Sequence, residues 1–510
     1  MQSPVSQGVD WFHAGEIVVI ARAARNVADE ASLQRTLGEL LSHHSGGQLP
    51  NGADALRTIV FDAPNEDTAL AFAFQKLAST NDVLHVKSAV EALHPNVHAM
   101  HTNDVEVLGI MPHWHIRAHE MAGGGSPGSL PAPVQPDKVR RDRRWRYAPR
   151  PDVFQPVDGG TPVPVAVLDT RIDLAQVAQF DGNEQLREAV DWLRSHEQSP
   201  GDLNHREWTE VAKHHTEGDE PKYVMADHAL FVAGLIHGLA AETPVSLMPV
   251  LDEYGVGDLS LLLAALRELL DRKSATAPLI VNLSLGFRPH PAHLVAAWHG
   301  LDLPGINTTY APNYVLRDSK RDWSWVRRNG HAVKQQADLL QAGLSELGHY
   351  LSLNNCLVVA AAGNDSEAGA VRLDPRLPAR FETVLGVAAT ALDPTRAASY
   401  SNVGDEQRRG DHVATFGGER GSGWEPIDGV MGLYSGAFPS GDVNTTGWAY
   451  WSGTSFATAL VSGMAANAWA RKPTAHASEI LADIHEAALT AGPYITELRT
   501  PSIEVHGAWT

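Results

Sequence analysis

The chain holds a single cysteine, Cys356, in 510 residues. An intramolecular disulfide is therefore excluded, and stability has to come from packing rather than from covalent staples. Long apolar runs are missing too. The longest, such as Leu259–Leu266, fall far short of the about 20 residues that cross a bilayer. Basic residues are scarce, 40 Lys+Arg against 60 Asp+Glu for a formal net charge of −20. Such a surface repels phosphate backbones and anionic lipid, so neither nucleic acid nor membrane is expected as a partner. The opening stretch MQSPVSQGVDWFHAGEIVVIA lacks a basic n-region and a long apolar core with a small-residue cleavage site, so no signal peptide is read and a soluble, cytoplasmic protein is expected. What is present suits a globular chain: 43% hydrophobic and 20% charged residues supply a core and exclude global disorder, and the length implies two or three folded units.

Up to residue 121 the pattern alternates, with strands at Glu16–Ile20, Arg57–Phe61 and Val83–Val86 and helices through Leu33–Leu41 and Thr68–Leu77, which predicts a small α/β sandwich. Residues 122–150 read as a linker. It begins AGGGSPGSLPAPVQP, where Gly and Pro forbid regular structure, and continues KVRRDRRWRYAPR, seven basic residues in an acidic protein. From 151 to 510 short apolar strands alternate with helical stretches: VPVAVLD, VSLMPVL, PLIVNLSLG, CLVVAAAGN and TVLGVAAT. That rhythm predicts an α/β domain with a mostly parallel sheet covered by helices on both faces, whose chemistry belongs at the carboxyl ends of the strands.

Three residues at such places combine into chemistry. Asp169 closes VPVAVLD, His228 opens the apolar stretch HALFVAGLIHG, and Ser455 sits at the start of a small-residue helix in WSGTSFATALVSGMAANAWA. Singly, each reads equally well as a cap or a core-edge polar group. Together they match a need: a serine hydroxyl becomes nucleophilic when a neutral imidazole takes its proton, and the imidazole needs a buried carboxylate to fix its tautomer. The chain order Asp, His, Ser is the subtilisin arrangement.

Here the sequence resembles the subtilisin-like serine proteases, the subtilases, over roughly 163–470. VAVLDTRID, DHALFVAGLI and SGTSFATALVSG carry the resemblance, with VLDEYGVGDLSLLLAALRELL, LIVNLSLG, LVVAAAGND, SYSNVGDE and VATFGG in order between them. It implies a serine endopeptidase working through an acyl-enzyme, in which Asp169 orients His228, His228 is general base and then acid, Ser455 is the nucleophile, and Asn364 donates to the oxyanion beside the Ser455 N–H. It implies a polypeptide substrate lying extended between the edges Gly255, Val256, Gly257 and Leu283, Ser284, Leu285, Gly286, with Ala361, Ala362 and Gly363 in the S1 wall.

Departures from the family pattern bear on substrate preference and rate. Arg171 stands where the Asp motif has glycine, Ala229-Leu230 replace Gly-Thr after the histidine, Phe456 replaces Met, and Ala459-Leu460 replace Pro-His. Two stretches look inserted, 173–223 and 287–333, and in the second Arg288, His290, Trp323, Trp325, Arg327 and Arg328 are candidates for narrowing access or gripping a partner. The N-terminal unit stands where the family often carries an inhibitory prodomain, the alternative being a permanent recognition domain. Among 25 histidines, His94, His98 and His101, or His113, His115 and His119, lack completing cysteines or carboxylates, so no catalytic metal is predicted and no cofactor is required for the chemistry; structural calcium is implied only by the resemblance. The expectation is a regulated peptidase of narrow specificity, against the alternative of a catalytically silent subtilase fold that binds peptides as an adaptor.

Overall fold

The structure is a computed structural model that describes residues 12–77, 83–118, 128–188, 225–287, 344–366, 372–404 and 412–510, with short gaps inside some of these spans. The N-terminal strands are β1 (Phe12–Ala24), β2 (Leu56–Asp62), β3 (Thr68–Lys76) and β4 (Val105–Ala118), with helices α1 (Glu30–His44) and α2 (Val83–Leu93) between them. They form an antiparallel sheet in the order β4-β1-β3-β2, a split β-α-β-β-α-β unit.

Two elements differ from the sequence reading. Thr68–Lys76, read as a helix, is β3, and the strand expected at Val83–Val86 is the first turn of α2. β3 lies between β1 and β2, and all its residues from Ala69 to Gln75 are buried. Burial on both faces erases the period-two alternation that marks a strand, leaving TALAFAFQK with helix-favouring Ala and Leu as the only local signal. In VLHVKSAVEAL the apolar residues Val83, Val86, Val90 and Leu93 recur at helical spacing, which a four-residue window does not reveal.

The segment read as linker is built into the rest of the chain. β5 (Ala132–Pro133) and β6 (Trp145–Arg150) are strands, and β6 pairs antiparallel with the last strand, β18 (Thr500–Trp509). Along β6, Tyr147 and Pro149 face inward while Arg146 and Arg150 face solvent. Two of the seven basic residues thus lie on the wet face of an edge strand.

The large sheet contains β7 (Val165–Thr170), β8 (Val245–Leu251), β10 (Leu279–Leu283), β12 (Cys356–Ala361), β13 (Val384–Thr390) and β14 (Val413–Phe416). Its order is β8-β7-β10-β12-β13-β14-β18, with every neighbouring pair parallel. The five strands predicted from VPVAVLD to TVLGVAAT are its consecutive strands β8-β7-β10-β12-β13, with β8 at the edge, and the unbroken apolar runs of β7, β10, β12 and β13 reflect burial on both faces. Helices α4 (His228–Leu239) and α7 (Thr454–Ala470) pack together in one apolar core. The α7 stretch is buried from Thr454 to Trp469. Its small residues allow this: a Cβ on Gly463 would lie 2.9 Å from Leu239 Cβ, so glycine is what lets the two backbones approach.

Helices α5 (Leu259–Arg272) and α6 (Leu344–Leu353) lie between the two sheets and contact β2, β4 and β3. One continuous apolar cluster joins Ile17, Phe72, Ile110 and Ile116 of the N-terminal sheet to Leu262, Leu266, Leu347 and Leu351 of these helices. Arg22 bridges to Glu346 at 3.2 Å, and the Thr68 and Tyr350 hydroxyls meet at 3.1 Å. The N-terminal unit is therefore seated on a core-like interface.

A buried titratable trio sits at that interface. His113 of β4 is 2% exposed; its Nδ1 contacts the Glu16 carboxylate of β1 and its Nε2 is 3.5 Å from Asp258 Oδ1, the residue that caps α5. The Ser260 N–H approaches the same Nε2 at 3.3 Å, a geometry that suits the neutral ring. Burial also favours the neutral ring, but Asp258 and then Glu16 outweigh it and raise the His113 pKa to about 9. A pKa raised by folding gives stability that is complete below the ordinary value of 6.5 and lost as pH rises through about 9. The thermal midpoint of the full chain is expected to fall between pH 7 and pH 10, and His113→Gln to remove that part of the fall; an identical pH profile in the variant would contradict the charged assignment.

Candidate active site

Asp169 and His228 meet as the sequence order suggested. Asp169 ends β7 and His228 begins α4, and the imidazole Nδ1 lies 2.8 Å from each carboxylate oxygen. Both side chains are fully buried. The Thr170 N–H donates to Asp169 Oδ1 at 2.6 Å, and the Ala229 N–H donates to Thr170 Oγ1 at 3.1 Å, which ties strand end to helix start. A carboxylate bonded to Nδ1–H leaves Nε2 as the lone-pair nitrogen, the tautomer a general base needs. Among the described residues, His228 Nε2 has no hydrogen-bond partner. The ring is walled by Trp451, edge-on at 5.7 Å, and Phe456 at 5.6 Å.

Ser455 lies in the first turn of α7, but its hydroxyl is turned to another partner. It donates to the Ser284 carbonyl at 3.1 Å, and the Ser284 hydroxyl donates back to the Ser455 carbonyl at 3.0 Å. Ser284 joins β10 to the short strand β11 (Leu285–Phe287). Asn364 follows β12, and its Oδ1 accepts from the Thr454 N–H at 3.0 Å and the Thr454 hydroxyl at 2.8 Å. That grip turns the Nδ2 end of the planar amide to the opposite side. Ala361, Ala362 and Gly363 precede it, all buried, with Gly363 at φ +110°.

The two candidate substrate edges are engaged by the chain itself. The carboxyl end of β4 runs between β9 (Val256–Asp258) and β11 and pairs antiparallel with both: Arg117 with Val256, Ile116 with Gly257 and His115 with Asp258 on one side, Ala118 with Leu285, Arg117 with Gly286 and Ile116 with Phe287 on the other. Of the expected edge residues, Val256, Gly257, Leu285 and Gly286 are in these ladders, while Gly255, at φ +73°, and Leu283 and Ser284 flank them. A Cβ on Gly257 would lie 2.0 Å from the Val250 carbonyl oxygen of β8 and 3.2 Å from Ile116 Cγ1, so glycine is what lets β9 lie this close to β8.

Residue 129 is tied to the segment just before α7. The Ser129 N–H donates to the Ser452 carbonyl at 2.9 Å, the Ser452 N–H donates to Ser129 Oγ at 2.9 Å, and the Trp451 indole N–H donates to the Ser129 carbonyl at 3.0 Å. Ser129 is thus held beside Ser452, just before α7, a contact that 129 and 452, far apart in sequence, give no signal of.

Asp227, beside His228, also escaped the sequence reading. Its carboxylate accepts from the Ser435 N–H and hydroxyl, each at 2.8 Å, and from the Gly436 N–H. Burial raises its pKa despite these donors. The inserted residues Arg288, His290, Trp323, Trp325, Arg327 and Arg328 lie outside the described residues, as do His119 and most of 173–223. Among the described residues no group of three or more His, Cys, Asp or Glu side chains gathers to hold a metal ion. No helix among them is long and apolar enough to cross a membrane.

The model of the subtilase family matches residues 160–500, and the chain belongs to that family, a family of serine peptidases acting on polypeptides. Similar solved structures include a lanthipeptide protease, 18% identical over 68% of this chain and 86% of that one with a TM-score of 0.40. A cold-adapted subtilisin-like serine proteinase is 16% identical over 67% and 87%, with a TM-score of 0.35, and the S41 psychrophilic protease is 18% identical over 66% and 85%, with a TM-score of 0.37. No curated protein matches the chain.

Removing the Asp227 carboxylate strands three buried donors. Asp227→Ala is expected to cost about 3 kcal/mol of unfolding free energy, read in denaturant melts; a loss below about 0.5 kcal/mol, the scale of a neutral surface change, would show that these bonds are not made.

Proposed function

We propose that the chain is a serine endopeptidase whose reacting groups are Ser455, His228, Asp169 and Asn364, held latent by its own N-terminal unit, residues 1–121. The observation that carries this reading is the strand β4 filling the space between β9 and β11, beside a buried Asp169–His228 pair at 2.8 Å. A strand bound on both edges is how an extended substrate lies in a peptidase cleft, so the N-terminal unit occupies the site in the manner of a substrate. This favours an inhibitory, prodomain-like role over a permanent recognition domain.

In the proposed reaction Ser455 Oγ rotates from the Ser284 carbonyl to His228 Nε2, gives up its proton there and attacks the scissile carbonyl carbon. The Asn364 Nδ2 and the Ser455 N–H receive the oxyanion, and Asp169 stabilises the imidazolium. Collapse of the tetrahedral adduct breaks the C–N bond, and His228 protonates the departing amine. Water then repeats the sequence on the acyl-enzyme. Release of the Ser284 carbonyl also returns an acceptor to the substrate edge.

A peptidase covered by its own chain until a segment is released acts under control, and we infer regulated cleavage of a narrow set of proteins. The rival adaptor, a silent peptide-binding fold, has no use for a buried carboxylate aligned on a histidine.

Ser455→Ala is expected to abolish peptide hydrolysis and to leave only uncut chain on intact-mass analysis. Asp169→Asn should lower turnover by about 10⁴-fold and Asn364→Ala by about 10²–10³-fold, the figure known for this family's oxyanion asparagine, with KM little changed in both. Peptide hydrolysis that survives Ser455→Ala would overturn the assignment.

A further inference from the structure

The loop that carries Asn364 is held by side chains with no part in the proposed reaction. Asn402 is 1% exposed and reaches both ends of the segment 362–366. Its Nδ2 donates to the Ala362 carbonyl at 3.1 Å and to Asp365 Oδ2 at 3.0 Å; its Oδ1 accepts from the Asp365 N–H and the Ser366 hydroxyl, each at 3.0 Å; its backbone N–H donates to the Gly363 carbonyl at 2.9 Å. One amide thus brackets the oxyanion asparagine from before and after.

A buried ion pair locks the same turn. Arg376 Nε donates to Asp365 Oδ2 at 2.6 Å and a second guanidinium nitrogen donates to Asp365 Oδ1, while the Arg376 N–H donates to the Ala362 carbonyl at 2.9 Å. The two side chains are 7% and 8% exposed. A two-pronged pair fixes orientation as well as distance. Gly363 between these anchors has no room for a side chain: a Cβ would lie 2.5 Å from Asn402 Nδ2, 3.0 Å from Asp365 Oδ2 and 3.1 Å from Arg376 Cγ. On the far side Thr454 Oγ1 accepts from the Gly363 N–H at 3.3 Å while its hydroxyl holds Asn364 Oδ1.

We infer that Asn402 and the Asp365–Arg376 pair are positioning residues for the oxyanion donor Asn364, fixing the turn so that Nδ2 meets the developing charge. The inference rests on the reading of Asn364 given above. Oxyanion stabilisation depends on donors preset at the place where charge appears, since a donor that must move loses most of its effect. Asn402 is 38 residues downstream in SYSNVGDE and acts through Asn364 without touching the reacting atoms.

The test is a double-mutant cycle on the full-length chain nicked between residues 118 and 128 and freed of its N-terminal piece by size exclusion, following a short chromogenic peptide. Asn402→Ala is expected to lower kcat by about 10–100-fold, as small displacements of catalytic groups do, with KM within about 3-fold. In the Asn364→Ala background the same change should lower kcat by less than about 2-fold, because the group it positions is gone. A residue that only supports the fold would lower kcat by the same factor in both backgrounds, and that additive result overturns the inference while leaving the oxyanion role intact. An Asn364→Ala variant with unaltered kcat sinks the oxyanion reading itself. Arg376→Lys keeps the charge but loses the two-pronged pair; it provides a second entry to the cycle should Asn402→Ala fail to fold, with the same two outcomes.

Discussion

The strand β4 between β9 and β11 is the contact on which the other features depend. Two short strand edges with exposed N–H and C=O groups are open to any extended chain, and here residues 115–118 satisfy both at once. The segment is delivered there by a sheet whose Phe72 and Ile116 share one apolar cluster with α5 and α6, so its main-chain ladders are backed by apolar burial. Just before α7, Ser129 holds Ser452 and Trp451. Asp169, His228, Asn364 and Ser455 are each no more than 1% exposed, and shielding of this kind is what a latent hydrolase requires.

Inside that cover the polar groups are paired with care. Asp169 is bonded to His228 and to the Thr170 N–H, Asp365 to Arg376 and Asn402, and Asp227 to Ser435 and Gly436. Buried carboxylates without such partners would be costly to keep ionised. The geometry is two-sided: the Asp169–His228 half of the site is assembled, whereas the Ser455 hydroxyl rests on Ser284. A single side-chain rotation separates this state of Ser455 from the one the proposed reaction needs, and the carbonyl it rests on adjoins the proposed substrate edge.

The parallel sheet and the residues at its strand ends were legible in the sequence because each is local: an apolar run closed by Asp169, or a small-residue helix opened by Ser455. The N-terminal unit was harder to read. β3 is buried on both faces and lost its alternation, and the helix at Val83–Leu93 was cut short by too narrow a window. β4 went unread, since Gly109 and Pro112 interrupt VEVLGIMPHWHIRA, and its pairing with β9 and β11 joins residues more than a hundred positions apart. A still longer separation hid the pairing of Ser129 with Ser452, and a loop of about forty residues that of Asn402 with the turn at 362–366. Sequence supplies the types of the reacting groups; which side chains hold them in place depends on contacts that only the folded chain brings about.

The most direct measurement compares the rate of fluorophosphonate labelling at Ser455 in the intact chain and in the chain nicked between residues 118 and 128, with N-terminal unit removal followed by size exclusion. The account predicts labelling that rises about 100-fold once β4 leaves the cleft, the factor expected for a site that is open about 1% of the time, and none in Ser455→Ala. Equal rates before and after removal would contradict latency, and no labelling in either state would contradict the peptidase assignment.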